Sequence, residues 1–405
     1  MKNKLLSDSG MYLLATLIQS GIQLLFIPYL TRVLTLKEFA LSELFLTSYG
    51  LFNIIILFGI NTQIYRDVAT SKSFMSSDNL RNYRNSVYGF LLNNSLLLFV
   101  IVLGIYVYLG QAYLYLLLGL ICSIIYVYSI FELCLFQIKR KPQFFLYYNI
   151  AFSLLNVVIT VAALSAFEMG YESRFLGFFV PAFTFFIILT SVFKPRFFTN
   201  DFEEYKNKVI LCFPFFFASI ASWIVESVDK FMLAGMISLE ELAVYSVGYK
   251  FGMVMLLLTS AYSRAWMPYV VENIKSSKAI IKALIFSIVL LLSVFSGYLV
   301  AIYFVYPIIV PESYHSGMLV TIVIGGAYLI DGIAKLFNSI FVSLGRQGIY
   351  VMVTVVSGVG NMFMNYFLIP EYGYMGAAYA TLISFLTALL LSLIYFSQIK
   401  RKGLV

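Results

Sequence analysis

The chain has 405 residues, of which 61% are hydrophobic and only 11% are charged. Soluble domains carry about 25% charged residues, so this composition excludes a water-soluble protein and predicts a membrane protein with many spans. The net charge of +8 does not indicate a nucleic-acid partner, because the basic residues are spread over many short loops, which is typical of membrane topology.

Twelve apolar segments follow one another along the chain with short connections. A membrane-spanning helix needs about 20 apolar residues. The first segment is too long for the apolar part of a signal peptide and no A-x-A cleavage pattern follows it, so we expect it to remain as the first span. We predict an all-α integral membrane protein with spans at residues 10–31, 39–62, 84–109, 112–138, 143–166, 174–193, 209–234, 241–263, 280–305, 316–340, 349–369 and 374–397.

The basic residues of the connections favour one side of the membrane. With these twelve spans, twenty lysine and arginine residues fall on one side and three, including Arg174, fall on the other. Cytoplasmic loops carry the excess of these residues. The bias therefore predicts an even number of spans, with both termini and the longest connection, residues 66–84, in the cytoplasm.

Short segments of the first half recur in the second half. Residues 35–41 read TLKEFAL, and residues 238–244, which lie 203 positions later, read SLEELAV. A Gly-Tyr pair at 170–171 recurs at 373–374 with the same offset, and Asn156 matches Asn361 at an offset of 205. We predict an N-terminal lobe, residues 1–197, and a C-terminal lobe, residues 198–405. With six spans each, the lobes would be parallel pseudo-repeats.

The stretch 224–251 carries four ionisable residues between apolar segments: Glu226, Asp229, Lys230 and Lys250. A charge near the bilayer centre costs roughly 3 kcal/mol on insertion scales, so such residues usually face a cavity and have a function. A charged helix at the centre of a duplicated chain indicates a transporter with a binding site between its two halves.

Three motifs resemble those of bacterial polysaccharide and O-antigen flippases, within the multidrug/oligosaccharidyl-lipid/polysaccharide exporter superfamily. They are IPYLTRVL at 27–34 followed by KEF at 37–39, VDK at 228–230 followed by EELAVY at 240–245, and LIPEYGYMGAAYAT at 368–381. The chain departs from the family pattern at Ala40 and Ala243, where glycine is more frequent.

The resemblance implies a flippase, not an enzyme, in the bacterial cytoplasmic (inner) membrane, with its two six-helix lobes around a central cavity. Its substrate would be an undecaprenyl-diphosphate-linked oligosaccharide, such as an O-antigen or capsule repeat unit, moved from the cytoplasmic to the periplasmic leaflet by alternating access. The expected partners are this lipid-linked oligosaccharide, membrane lipids, a polysaccharide polymerase and a chain-length regulator.

The charged residues of the spans suit such a substrate. Lysine and arginine bind phosphates, and we predict a transport path lined by Arg32, Arg66, Lys230, Lys250, Arg264 and Lys335. We expect no cofactor other than a coupling H⁺ or Na⁺, for which the candidate residues are Glu226, Asp229 and Asp331. Glu226–Lys230 and Asp331–Lys335 are also i,i+4 pairs, so each acid has the alternative of simply neutralising its lysine.

Two other functions remain open. The first is a small-molecule antiporter of the same superfamily that exports cationic drugs, although four basic residues in the spans favour an anionic substrate. The second is a membrane-bound polysaccharide polymerase or acyltransferase, although the outer loops are short. The chain has no G-x-x-x-x-G-K-[ST] loop, which argues against ATP hydrolysis.

Overall fold

The computed structural model describes residues 2–70, 77–110, 113–197, 202–274 and 276–401. Over these residues the chain forms thirteen α-helices and a short 3₁₀ helix, Glu312–Tyr314. The α-helices are α1 (Lys2–Val33), α2 (Leu36–Leu57), α3 (Ile60–Thr70), α4 (Ser77–Leu109), α5 (Leu114–Ile138), α6 (Pro142–Ala166), α7 (Glu172–Phe193), α8 (Phe202–Met236), α9 (Leu239–Asn273), α10 (Ser277–Ile309), α11 (Gly317–Ser343), α12 (Gln347–Tyr372) and α13 (Tyr374–Arg401).

Twelve of these helices are long and apolar enough to cross a membrane. The exception is α3, which has only 11 residues. The predicted all-α fold with twelve membrane spans is therefore confirmed.

The second predicted span, 39–62, is wrong at its C-terminal end. Helix α2 ends at Leu57, because Phe58 takes a left-handed conformation with φ of 47° and Gly59 follows with φ of 81°. A Cβ atom on Gly59 would lie 2.8 Å from Cβ of Phe215 on α8, so this turn also requires a residue without a side chain. The residues around this break are apolar, so the sequence does not reveal that the helix ends there. The chain then continues as α3, most of which lies in the segment predicted to be a connection.

The structure divides into two compact units, Met1–Trp223 and Ile224–Val405, with the division inside α8. The predicted lobes divide between residues 197 and 198. This division was based on repeats in the sequence, and it stays a prediction.

In the first unit α2 packs closely against α5. The Ser123 hydroxyl donates to the Tyr49 carbonyl at 3.0 Å, and a Cβ atom on Gly119 would lie 3.1 Å from the Tyr49 nitrogen.

A buried ion pair joins α4 to α5 in the first unit. Nε of Arg84 lies 2.6 Å from Oε1 of Glu132, and the two side chains are 8% and 1% exposed. The Arg84 guanidinium also covers the ring of Phe193 at 4.1 Å. Just beyond α5, partial burial and then the nearby Arg84 lower the pKa of the Lys139 ammonium. Arg84 was predicted to end a cytoplasmic connection, but it lies inside α4 and is buried.

In the second unit, α9 packs on α11 through glycines. A Cβ atom on Gly252 would lie 2.6 Å from Cγ2 of Ile324, and one on Gly332 would lie 2.5 Å from Cγ2 of Thr259. Small residues allow membrane helices to approach closely in this way, and the dispersion contacts of the close approach hold the helices together.

Replacing Gly252 by alanine is therefore expected to destabilise the protein by about 1–3 kcal/mol, the usual cost of overpacking a core. The matched control is Gly297→Ala on α10, where a new Cβ atom would meet nothing within 4 Å. This control should be neutral or slightly stabilising, because alanine is the better helix former. Thermal unfolding in detergent compares the two variants, and equal midpoints would contradict the packing argument.

The repeated segments of the first unit meet one another in the fold. Thr35 caps α2: its hydroxyl accepts the Glu38 N–H at 3.3 Å, and its own N–H donates to the Glu38 carboxylate at 2.9 Å. This is the reciprocal capping box of an S/T-x-x-E motif. The same carboxylate lies against Gly170, where a Cβ atom would clash with it.

The second unit contains the same arrangement. The Ser238 hydroxyl accepts the Glu241 N–H at 3.2 Å, and the Glu241 carboxylate accepts the N–H of Tyr374 at 3.1 Å. A Cβ atom on Gly373 would lie 2.7 Å from that carboxylate. In both units the glutamate and the glycine are 132 residues apart. The structure thus gives the repeated motifs one common role, which is to join the start of one helix to a distant Gly-Tyr turn.

Candidate functional site

The ionisable residues of α8 lie at the start of the second unit. Asp229 is 3% exposed and Lys230 is 9% exposed. The Lys230 ammonium lies 3.8 Å from Oδ1 of Asp229 and donates to the main-chain carbonyl of Glu226 at 3.3 Å. The Tyr245 hydroxyl of α9 donates to the other carboxylate oxygen of Asp229. A carboxylate and an ammonium are thus buried side by side, each held by a further polar contact.

Tyrosines of α9 and α11 extend this site. The Lys230 ammonium lies 4.7 Å from the ring centroid of Tyr249, an arrangement that contributes about 2 kcal/mol when the cation is desolvated. The hydroxyl of Tyr249 is 2.6 Å from that of Tyr328 on α11. The ring of Tyr328 in turn lies 5.7 Å from that of Phe385 on α13. Four helices of the second unit therefore contribute to one aromatic and charged cluster.

The acid–base pair predicted on α11 is confirmed and lies next to this cluster. Nζ of Lys335 is 2.5 Å from Oδ2 of Asp331, less than one helical turn beyond Tyr328. The Glu226 carboxylate is exposed and within electrostatic range of Lys230, Lys335 and Asp331. Five of the nine predicted site residues are thus brought together: Glu226, Asp229, Lys230, Asp331 and Lys335.

The other four predicted residues lie elsewhere. Arg32 lies in the last turn of α1 and Arg66 lies on α3, so both belong to the first unit, and both side chains are exposed. Lys250 is half-buried on α9 and has contacts within the protein. Arg264 is exposed on the same helix, about 21 Å further along it. Their place in a transport path stays a prediction.

Sequence reasoning missed the three tyrosines of the cluster. Tyr245 and Tyr249 are four residues apart, so they share one face of α9 directly after its N-cap. A tyrosine in a buried position usually needs a hydrogen-bond partner for its hydroxyl. The sequence did contain a signal for this cluster: two tyrosines lie four residues apart, next to a span that carries acids. Because the chain contains 31 tyrosines, this pair did not stand out.

A second polar cluster was also missed, between α12 and α13. Asn365 donates to Oδ1 of Asn361 at 3.0 Å, and Asn361 lies 3.4 Å from the Thr381 hydroxyl. Thr381 is in turn beside Tyr245, the residue that bonds to Asp229. All three side chains are buried, so the polar interior of the second unit continues from Asp229 to α12.

The first unit buries an arginine that the sequence assigned to the outer side. Arg174 is 2% exposed, and its guanidinium lies 5.4 Å from the ring of Phe26 and 5.5 Å from that of Phe178. The buried Glu43 is its electrostatic partner. Arg174 follows a turn and opens α7, which explains why its loop-like sequence position was misleading.

The fold and the site together define a class of protein: a helical protein with twelve candidate membrane spans and ionisable side chains buried among them. The fold is that of the lipid II flippase MurJ in an inward closed conformation, with a TM-score of 0.76 at 15% identity, covering 97% of this chain and 87% of that chain. It is also that of an inward-facing multidrug resistance MATE family transporter of the MOP superfamily, with a TM-score of 0.65 at 14% identity and coverages of 95% and 96%. A point mutant of the Vibrio cholerae MATE transporter VcmN matches with a TM-score of 0.55 at 13% identity and coverages of 99% and 98%.

The sequence itself places the chain more narrowly. Residues 5–274 match the family described as polysaccharide biosynthesis protein, and the chain belongs to this family. No curated protein matches the chain in sequence. The predicted resemblance is confirmed at the level of this family.

Proposed function

We propose that the protein is a flippase for a lipid-linked oligosaccharide. The substrate is an O-antigen or capsule repeat unit on undecaprenyl diphosphate, and it moves from the cytoplasmic to the periplasmic leaflet by alternating access. One observation carries the proposal: a member of a polysaccharide biosynthesis family has a transporter fold and buries a lysine between a carboxylate and a tyrosine ring. The name of the lipid II flippase, which has the same fold, agrees with a lipid-linked substrate.

The chemistry of the cluster matches the two parts of this substrate. A diphosphate needs cations, and Lys230 and Lys335 supply ammonium groups that are already held by acids and can exchange partners. A glycan needs hydrogen-bonding groups and flat apolar surfaces, which Tyr249 and Tyr328 supply together. Lys250 and Arg264 on α9 are the further candidates of the second unit for contact with the head group, and Arg32 and Arg66 are the candidates of the first unit.

The acids of the cluster bind the ion that drives transport. Asp229 is the first candidate for binding H⁺ or Na⁺, because it is buried and its carboxylate is held by Tyr245. Binding a cation there would release Lys230 to the substrate anion, since one carboxylate would then be neutralised. Glu226 and Asp331, on the more open side of the cluster, are the second candidates.

The protein acts in the bacterial cytoplasmic membrane, with both termini in the cytoplasm, beside a polysaccharide polymerase and a chain-length regulator. The alternative is an antiporter of small cationic molecules, because transporters of the MATE family have the same fold. Family membership favours the lipid-linked substrate.

The first experiment deletes the gene in its host and measures surface polysaccharide and the sidedness of lipid-linked oligosaccharide. Loss of the surface polymer with complete lipid-linked units on the cytoplasmic side is the expected result. If the units reach the periplasmic leaflet and only chain extension stops, the protein is a polymerase or transferase. If the surface polymer is unchanged and cells become sensitive to cationic drugs, the antiporter is correct.

Complementation then tests the path. Lys250→Gln is expected to restore little surface polymer at normal protein level, because the diphosphate loses a cation that lies about a third of the way along α9. The control, Lys206→Gln, removes the same charge from the exposed first turn of α8 and should complement fully. Full complementation by Lys250→Gln would remove this residue from the path.

A further inference from the structure

A groove of about 610 Å³ lies between the end of α9 and the start of α10, and the described residues that line it include no member of the charged cluster. Its walls are aromatic and apolar: Tyr262, Trp266 and Tyr269 come from α9, and Phe286 and three alanines come mainly from α10. The Tyr262 hydroxyl lies 2.6 Å from the Ser287 hydroxyl and bridges the two helices. Trp266 is fixed by a 3.0 Å hydrogen bond from its indole N–H to the Leu336 carbonyl of α11. The hydroxyls of Tyr262 and Ser287 and the indole N–H of Trp266 therefore have hydrogen-bond partners within the protein, and these bonds fix the walls of the groove.

The charge at this groove has one sign. Among the described residues that line it, one carries a charge, and that residue is Lys282. Its side chain is exposed, five residues into α10. An apolar groove with one cation in its wall has the form expected for an amphiphile with an anionic head. Basic pockets between membrane helices bind anionic lipid head groups in this manner.

The depth of the groove fits one membrane leaflet. Its α10 residues run from Ala279 to Ser287, which is about 12 Å along the helix. Half of a hydrocarbon core is about 15 Å. Trp266 and Tyr269, whose rings stack at 6.0 Å, lie near the end of α9, where aromatic residues mark the membrane interface. A head group at Lys282 would therefore sit at the interface with its acyl chains directed along the apolar walls.

We propose that this groove is a binding site for an anionic phospholipid, with the head-group phosphate on Lys282 and an acyl chain between α9 and α10. A phospholipid fits better than the carrier lipid of a polysaccharide precursor, because a single lysine matches one phosphate and a diphosphate would require more cations. The absence of acids among the described lining residues favours a head group with net negative charge over a zwitterionic one. The lipid braces the two helices on the membrane side of the second unit. The site does not depend on the proposed transport activity.

Native mass spectrometry of the full-length protein in detergent tests this proposal. The protein is titrated with phosphatidylglycerol and, separately, with phosphatidylcholine of the same chains. We expect wild type to retain one phosphatidylglycerol preferentially and Lys282→Gln to lose about fivefold in affinity, which corresponds to about 1 kcal/mol for one lysine near an anionic head group. Equal retention of the two lipids by wild type would overturn the proposal.

Two controls locate the site. Lys278→Gln removes the same charge from α10 one turn earlier, at an exposed residue outside the groove, and should bind like wild type. Ala283→Trp fills the groove and should abolish retention without a change at Lys282. If Lys278→Gln weakens binding as much as Lys282→Gln, a general surface charge is responsible. If a polyprenyl phosphate displaces the phospholipid at equimolar concentration, the groove belongs to the carrier lipid, and the proposal is wrong.

Discussion

Replacing Asp229 by asparagine is expected to reduce polysaccharide export to background and to destabilise the second unit. The substitution leaves the Lys230 ammonium 9% exposed beside a neutral amide. Removing one partner of a buried ion pair costs about 3–5 kcal/mol. It also removes the carboxylate that we propose to bind the coupling ion. Complementation of a deletion strain measures export, and thermal unfolding in detergent measures stability.

Two further variants separate these effects. Asp229→Asn combined with Lys230→Gln removes both charges, so stability should recover while export stays lost. Asp229→Glu keeps an acid at the position and should retain part of the export. Restored export in the double variant would contradict a role for Asp229 in ion coupling, and the pair would then serve only to neutralise its own charges.

Replacing Glu132 by glutamine is expected to have the largest effect on the stability of the first unit. Its carboxylate is the 2.6 Å partner of Arg84, and both side chains are buried. The unpaired guanidinium would cost about 3–5 kcal/mol. The three free cysteines, Cys122, Cys134 and Cys212, all lie in this unit and are buried or half-buried, so a thiol-reactive dye reports its thermal unfolding directly.

The control for Glu132 is Glu312→Gln, which removes a carboxylate from an exposed position and should leave the unfolding midpoint unchanged. Arg84→Gln combined with Glu132→Gln should recover much of the lost stability, because no charge then remains buried. A midpoint for Glu132→Gln equal to that of wild type would show that water reaches Arg84 in the membrane protein.

The twelve spans could be predicted because each helix must satisfy its own backbone in lipid, and this forces an apolar segment of fixed length. The break at Phe58 and Gly59 could not, because it depends on contact with Phe215, far away in sequence. Charge pairs within one helix, such as Asp331 and Lys335, are visible from their spacing. Pairs between helices are set by packing alone, and for this reason Arg84 with Glu132 was missed.

The same limit applies to the candidate site. The ionisable residues of α8 stood out because charges are rare in apolar segments. Tyr249 and Tyr328, which hold them, are amphipathic and occur throughout the chain, so only the three-dimensional contact between their hydroxyls distinguishes them. The spacing left open whether Lys230 pairs with Glu226 along the helix, and in the structure its ammonium lies near Asp229 and the ring of Tyr249. Because this ring belongs to another helix, the spacing of residues along α8 does not reveal it.

The matching contacts of Glu38 with Gly170 and of Glu241 with Tyr374 fit the predicted duplication of a six-span segment. Two copies within one chain are free to carry different residues at matching positions. At the common offset of 203 residues, Asp229 corresponds to Phe26 and Arg174 corresponds to Ala377. The two segments therefore differ in their buried charge: the first carries Arg174 against the ring of Phe26, and the second carries Ala377 and Asp229 at the matching positions.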